Sequence, residues 1–271
     1  MKNIGKWMVM CCLLFMGMGS RVMAEDKVIE STQKESLKYD VYYHWGFIWK
    51  KAGSGILSLH DEKLENGENR LHGRLAGRSL SIVESLMKVR DTLYTYMTPN
   101  YLPLGYAKLT HEGSYNAKEY NYYNYLKKDS TAALTIDNID STYVDIFRWR
   151  QNKGNSEAHF TIAEPGYDML SIFYTLRRMN FSMMRKGEEH TFYIFSGIAK
   201  TPMHIQYRGM EVCEMRNGRR QSAYRLELYF KSKDSDKTPL QVWLSTDASH
   251  KPLKVIIQLK RIGSIQGELV E

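Results

Sequence analysis

Most of the chain after residue 36 alternates between apolar and polar positions, the pattern typical of half-buried β-strands. Residues 39–49 place apolar or aromatic side chains at every second position, which predicts one long strand with an aromatic inner face. The same alternation predicts strands at 89–97, 115–125, 224–230 and 253–259. Turns such as Asn66-Gly67 and Asn217-Gly218 are short, and short connections predict antiparallel neighbours.

Two segments interrupt this alternation and predict helices. Ser79–Lys88 would form a short helix. Asp168–Met184 gives the stronger signal, because its apolar residues follow helical spacing and Asp168 can cap the first turn. The apolar side of this helix needs a partner, and the apolar face of the sheet is the available one. The fold class predicted from the pattern is therefore mainly β, with a sheet packed against one or two helices.

The N-terminus has the three parts of a secretory signal. Lys2 and Lys6 precede an apolar run over residues 7–18, and small or apolar residues up to Ala24 offer a cleavage site. The run is shorter than the about 20 residues that cross a bilayer, which argues against a membrane anchor. We therefore expect a periplasmic protein whose mature chain begins at Glu25.

Lipidation is a weaker alternative, because Cys11 and Cys12 lie inside the apolar run rather than at its end. The chain then divides into three parts. We predict a signal peptide at 1–24, a flexible segment at 25–36 and a single β-rich domain at 37–271.

Charge and cysteine content exclude several classes of protein. The net charge falls from +8 to +5 when the three basic residues of the signal are removed, and no basic block remains. Nucleic-acid binding needs a concentrated basic stripe, so we expect no nucleic-acid partner.

Cys213 is the one cysteine outside the signal, so we expect no intrachain disulfide in the mature chain. We also expect the Cys213 side chain to be buried.

The sequence has none of the short motifs that mark catalytic or metal sites. Its histidines do not follow metal-ligand spacing, and it has no nucleophile elbow, phosphate-binding loop or dinucleotide fingerprint. We therefore expect no catalytic residue, no metal, no cofactor and no enzymatic activity. An unrecognised hydrolase is the weaker alternative.

Three stretches, in this order, resemble the bacterial exported family called domain of unknown function 3108. They are residues 37–46 with Ala52-Gly53, residues 89–91 with the D-x-x-S-x-x-Y-x-x-R pattern that begins at Asp168, and residues 242–247 with Lys251-Pro252-Leu253. The resemblance implies an exported domain with a curved antiparallel sheet, similar to the half-barrels of outer-membrane lipoprotein carriers, that embraces helices. It implies no known activity and brings no catalytic residues.

Aromatic side chains and a methionine-rich helix suggest an adaptable apolar cavity. We predict that Trp45, Trp49, Phe173 and Leu176 line a ligand site, with ordinary core packing as the alternative for each. Arg177 would either bind a ligand head group or form an ion pair between helix and sheet, with Asp91 or Asp247 as its partner.

These expectations favour a binding or carrier module for an apolar envelope component, such as a lipid or the acyl chain of a lipoprotein, with peripheral membrane contact. The alternative is an envelope-assembly factor that binds another protein or a glycan. A carrier predicts a continuous apolar cavity, whereas an assembly factor predicts a filled core and an exposed apolar patch.

Overall fold

The computed structural model describes residues 27–84, 88–230, 240–259 and 263–270. The strands are β1 Val28–Trp45, β2 Ile48–Leu64, β3 Asn69–Ser79, β4 Arg90–Met97, β5 Pro103–Glu112, β6 Tyr115–Lys127, β7 Ile139–Arg150, β8 Gly154–Ile162, β9 Gly166–Tyr167, β10 Glu189–Ser196, β11 Ala199–Glu214, β12 Arg220–Phe230, β13 Leu240–Ser245, β14 Pro252–Leu259 and β15 Gly263–Leu269. The helices are α1 Ser81–Glu84 and α2 Ser171–Leu176. The predicted signal peptide and its cleavage position lie outside the described residues.

All of these strands belong to one sheet, in the order β8-β7-β6-β5-β4-β3-β2-β1-β15-β14-β13-β12-β11-β10-β9. Neighbouring strands are antiparallel, except that β9 and β10 pair in parallel. β1 pairs with both β2 and β15, so the first and last of the described strands adjoin inside the sheet. Short hairpins join several neighbours, such as β1 and β2 or β5 and β6, as the alternating pattern predicts, whereas longer connections join β6 to β7 and β9 to β10.

The two ends of the sheet approach each other and nearly close a barrel. The Asn121 side chain on β6 donates to the Phe195 carbonyl on β10 at 3.1 Å. The Gly197 N–H donates to the Glu119 carboxylate at 2.9 Å, and the rings of Phe160 and Phe195 lie 5.3 Å apart. The prediction of a mainly β fold with a curved antiparallel sheet is confirmed.

The predicted single strand over residues 39–49 is wrong, because a hairpin turn divides it. β1 ends at Trp45 and β2 begins at Ile48, with Gly46 at a φ of +57° between them. Glycine at the first central position is typical of the tight type II′ hairpin turn. Trp45 is 56% exposed and Phe47 is 95% exposed, so the aromatic inner face does not extend to the turn.

The predicted flexible segment at 25–36 also needs correction from residue 28 onward. Residues 28–36 form the first part of β1 and pair with β2, from Val28 opposite Leu64 to Ser36 opposite Ser58. This part of β1 is mostly polar and exposed, so its sequence lacks the apolar alternation of a half-buried strand. Pairing with β2 satisfies its backbone hydrogen bonds instead.

Both predicted helices are too long. α1 covers four residues, and residues 85–87 of its predicted range lie outside the described residues. After α2 ends at Leu176, the chain continues through tight turns to residue 188. Within these turns, the Ser182 hydroxyl donates to the Asn180 side-chain oxygen at 2.6 Å. Phe181 is buried there against Tyr207. No helix in the described part of the chain is long and apolar enough to cross a membrane.

α2 packs against the inner surface of the sheet and contributes to two buried apolar clusters. Tyr174 belongs to the first cluster, and Ile172 and Leu176 belong to the second. Tyr106 and Phe195 from the sheet are fully buried in the first cluster. Cys213 is also buried there, as predicted, and burial raises the pKa of its thiol to about 11.

Candidate functional site

The start of α2 is fixed by a buried carboxylate. Oδ1 of Asp168 accepts the backbone N–H groups of Leu170 at 2.8 Å and Ser171 at 2.7 Å, which confirms the predicted cap. Oδ2 accepts the Thr95 hydroxyl of β4 at 2.9 Å. Asp168 has no exposed surface, and its burial raises the pKa of the carboxyl to about 6 in spite of these hydrogen bonds.

The end of α2 is fixed by a bidentate ion pair. The Arg177 guanidinium donates from Nη1 and Nη2 to the two carboxylate oxygens of Glu35 at 2.7 Å each, and it also donates to the Ser249 carbonyl. The predicted partners, Asp91 and Asp247, are therefore wrong. Glu35 lies in the part of β1 that the sequence predicts as a flexible segment, and its strand pairing places it beside the end of α2.

The middle of α2 is fixed by a tyrosine that lies across β3. The Tyr174 hydroxyl donates to the Ser58 carbonyl at 2.9 Å. A Cβ atom at Gly73 would lie 2.6 Å from the Tyr174 ring and 2.9 Å from the Thr95 side chain. Glycine at this position therefore makes room for the ring between α2 and the sheet.

The five predicted ligand residues do not form one site. Arg177 contacts Glu35, whereas Trp45 lies ten residues further along the same strand, a distance of about 33 Å at the usual rise per residue. Trp49 pairs with His44 near that distant turn. Leu176 is buried in the core and Phe173 is half-buried beside it.

An apolar groove with a volume of about 530 Å³ lies beside α2 and the turns that follow it. Its lining comes from the β4–β5 and β6–β7 connections, β9, α2, the turns after α2 and the start of β10: Asn100, Tyr101, Leu102, Ile136, Tyr167, Thr175, Arg178, Met179, Asn180, Met183, Met184, Glu188, His190 and Phe192. Three of these are methionines of the segment predicted as a methionine-rich helix. Tyr101 and Phe192 come from other parts of the chain, and no local pattern of the sequence points to them.

Backbone strain is concentrated where other loops contact the end of α2. Tyr101 and His250 are the two non-glycine residues with positive φ in the described residues, at +66° and +42°. The Arg178 guanidinium lies 4.5 Å from the centre of the Tyr101 ring, and Nδ1 of His250 lies 2.7 Å from the Arg177 carbonyl oxygen. Such conformations cost roughly 1–3 kcal/mol each and cluster at functional sites.

The groove lining includes one basic, one acidic and one histidine side chain: Arg178, Glu188 and His190. Arg178 is exposed on one side, and Glu188 pairs with His190 at 3.0 Å on the other. Hydrogen bonds from the Arg185 N–H and from His190 lower the pKa of the Glu188 carboxyl. Within the described residues, no three His, Cys, Asp or Glu side chains come together as a metal-binding group. The groove thus offers apolar contact and one exposed cation.

Comparisons with known proteins identify a family and a fold. A family model described as "Protein of unknown function (DUF3108)" matches residues 38–270. The crystal structure of a beta-barrel-like protein of domain of unknown function DUF1849 from Brucella abortus is similar in fold. It shares 7% identity with a TM-score of 0.50, covering 91% of this chain and 98% of that chain. No curated protein matches the sequence.

Proposed function

The chain belongs to the DUF3108 family, and from the groove beside α2 we propose that it is a non-enzymatic binding module for an apolar envelope component. The ligand class is a lipid or the acyl chain of a lipoprotein. Export through the signal peptide and work in the periplasm are part of the proposal, supported by the charged, apolar and small-residue segments of the first 24 residues.

The observation that carries the proposal is the groove itself. Its volume of about 530 Å³ lies in the range of small-ligand sites, and such sites are mostly apolar with a few polar groups. Met179, Met183 and Met184 line it with flexible, polarisable side chains, which adapt to ligands of variable shape. Tyr101 and Phe192 add aromatic surface.

Arg178 is the residue suited to bind a ligand head group. Its neighbour Arg177 is committed to Glu35 and is largely buried, whereas Arg178 is exposed at the groove. A guanidinium binds carboxylate and phosphate oxygens in two-point geometry, which fits the polar end of a fatty acid or phospholipid. Arg178 therefore replaces Arg177 in the proposed site.

The location of the groove changes the predicted mode of binding. A carrier was expected to have a continuous apolar cavity, but Tyr106, Tyr174 and Phe195 fill the space where α2 meets the sheet. A filled core is the feature expected of an assembly factor, so the binding proposal rests on the groove outside the core. Binding in the groove requires no separation of α2 from the sheet. The ligand would lie against the turns after α2, outside the buried clusters.

A second candidate, binding of a glycan, is supported by an aromatic row on the opposite face of the sheet. Thr95 points to Asp168, so its neighbours Tyr94 and Tyr96 point away from α2. The His72 ring stacks on both at 5.8 Å and 4.6 Å between ring centres. These rings are half-buried, and the part of each that faces solvent can stack on sugars.

A matched pair of variants tests the groove. Met183 is 78% exposed at the groove, and Met210, on β11, is 65% exposed and is not part of the groove lining. We expect Met183→Glu to weaken the binding of a dansyl-labelled fatty acid at least tenfold, because it removes an apolar contact and places a hydrated carboxylate beside the anionic ligand. Met210→Glu should bind like the wild type.

Fluorescence titration and native mass spectrometry after gentle purification provide the measurements. A protein that carries no lipid and binds neither fatty acid nor lysophospholipid would contradict the proposal. Equal binding by both variants would show that the ligand does not bind in the groove. Binding of soluble glycan fragments instead would favour the second candidate.

A further inference from the structure

The turn between β1 and β2 presents an apolar tip to solvent. Phe47 is 95% exposed, Trp45 is 56% exposed and Ile48 is 38% exposed. Single exposed apolar side chains are common on proteins, but three in four consecutive positions at the apex of a hairpin form a contiguous patch. Such a patch is typical of a surface that binds a membrane or another protein.

The tip is held in shape by its own base. Gly46 takes the positive φ that the tight turn requires. The Trp49 ring is stacked with His44 at 3.8 Å, and the Arg216 guanidinium lies 4.4 Å from its centre. A preformed tip loses little conformational entropy when it binds.

The charge around the tip is basic. Residues 44–51 contain Lys50 and Lys51 and no acidic residue. Lys51 pairs with Asp40 at 2.7 Å, and Lys50 and Arg216 are exposed. Aromatic side chains with nearby basic residues are typical of the boundary between hydrocarbon and head groups, where cations are attracted to anionic lipids.

We propose that the β1–β2 hairpin attaches the protein to an anionic phospholipid surface. Trp45, Phe47 and Ile48 enter the head-group and acyl boundary, and Lys50 and Arg216 contact lipid phosphates. A second copy of the chain fits less well, because the two aromatic rings and Ile48 offer roughly 400 Å². A stable protein interface buries about 800 Å² on each partner.

This surface is separate from the groove. Trp45 is about 33 Å along β1 from Glu35, which contacts the end of α2. Membrane attachment through the hairpin therefore does not depend on a ligand in the groove. The two proposals can fail independently, since one is tested with vesicles and the other with soluble acyl probes.

The experiment measures sedimentation of the purified protein with vesicles of phosphatidylethanolamine and phosphatidylglycerol. We expect binding that falls as salt rises and that is weaker on phosphatidylcholine vesicles. The double variant Trp45→Ala/Phe47→Ala should lower the partition coefficient at least tenfold. Lys50→Gln should lower it about fivefold. The control Met210→Ala/Val212→Ala removes two other exposed apolar side chains and should bind like the wild type.

Fluorescence quenching by brominated lipids identifies the inserted residue. Trp45→Phe should remove most of the lipid-dependent quenching while vesicle binding is kept. If Trp45 had only a structural role, this substitution would not change the quenching. Absence of vesicle binding, equal binding by the Trp45→Ala/Phe47→Ala variant, or a dimer in sedimentation that this variant abolishes would each overturn the proposal. Melting temperatures of all variants exclude unfolding as the cause.

Discussion

The α2 region and the β1–β2 hairpin contain similar residue types, yet the fold uses them in opposite ways. At α2, Arg177 is bonded to Glu35 and Tyr174 is bonded to Ser58, and both side chains are largely removed from solvent. At the hairpin, Trp45 and Phe47 are exposed. Residue type alone therefore does not identify a binding residue. The residues available for binding are those that the fold leaves without structural contacts.

The same contrast appears between adjacent residues. Arg177 and Arg178 follow each other in sequence, but Arg177 stabilises the end of α2 and Arg178 lies at the groove over Tyr101. The D-x-x-S-x-x-Y-x-x-R pattern that begins at Asp168 ends at Arg177, so it points to the first of these two arginines. Its contacts explain it as a structural residue, and the candidate binding residue is its neighbour.

The largest expected effect comes from breaking the ion pair. Arg177→Ala leaves the Glu35 carboxylate, 13% exposed, without a cation, and we expect a loss of about 3 kcal/mol in the free energy of unfolding. Arg178→Ala should change it by less than about 0.5 kcal/mol. Chemical denaturation measures both.

A second change distinguishes charge burial from lost packing. Adding Glu35→Gln to Arg177→Ala removes the orphaned charge and should recover part of the loss. Equal stability of Arg177→Ala and wild type would exclude Arg177 from the structural network and return it to the list of candidate ligand residues.

The next prediction concerns pH and Asp168. Its pKa of about 6 lies above its ordinary value of 3.8, so the folded protein binds more protons than the unfolded chain between these two values. Stability should therefore fall as pH rises from about 4 to 6, by roughly 2–3 kcal/mol from this group, and then stay level.

Asp168→Asn should remove this part of the pH dependence, because an amide does not titrate. The cap should persist, since the amide oxygen still accepts the N–H groups of Leu170 and Ser171. Urea denaturation of variant and wild type at several pH values measures the difference. The buried Glu119 also has a raised pKa, mainly from burial, and both proteins contain it, so its contribution cancels except for the small part that the Asp168 charge adds. Parallel stability curves would contradict the assignment to Asp168.

The alternating pattern predicted strands with one partly buried face, such as β4, β6 and β12, but it did not reveal the hairpin. A turn of two residues keeps Trp45, Phe47 and Trp49 in the same alternation, so the pattern continues through it. Gly46 was the one local signal, and glycine also occurs inside strands. The end of α2 was missed for a similar reason, since apolar spacing of three residues continues through the turns after Leu176.

The candidate site was less predictable than the fold because its contacts are distant in sequence. Arg177 and Glu35 are 142 positions apart, and Thr95 and Asp168 are 73 positions apart. Local periodicity contains no information on such pairs. The methionines after α2 could be recognised from sequence, whereas Tyr101 and Phe192, on the other side of the groove, could not.

A smaller effect tests the packing of α2 on β3. Gly73→Ala places a Cβ atom within 2.6 Å of the Tyr174 ring, and we expect a cost of about 2 kcal/mol from overpacking. Gly77 lies on the same strand with nothing within 4 Å of its added Cβ atom, so Gly77→Ala should be neutral or slightly stabilising. Thermal melts compare the two, and equal losses would show that the ring is not the cause.

The smallest effect on stability is expected at the hairpin. Trp45→Ala/Phe47→Ala removes two rings that contribute little to the core, so the free energy of unfolding in solution should change by less than about 0.5 kcal/mol. By contrast, Trp49→Ala removes a ring that His44 and Arg216 contact, and it should cost about 1 kcal/mol more than the double variant. Denaturation without lipid measures both. Removing side chains that make no structural contacts should not change the stability of the folded protein. If the double variant were the less stable one, the exposed rings would be structural, and the contrast between the hairpin and α2 would be wrong.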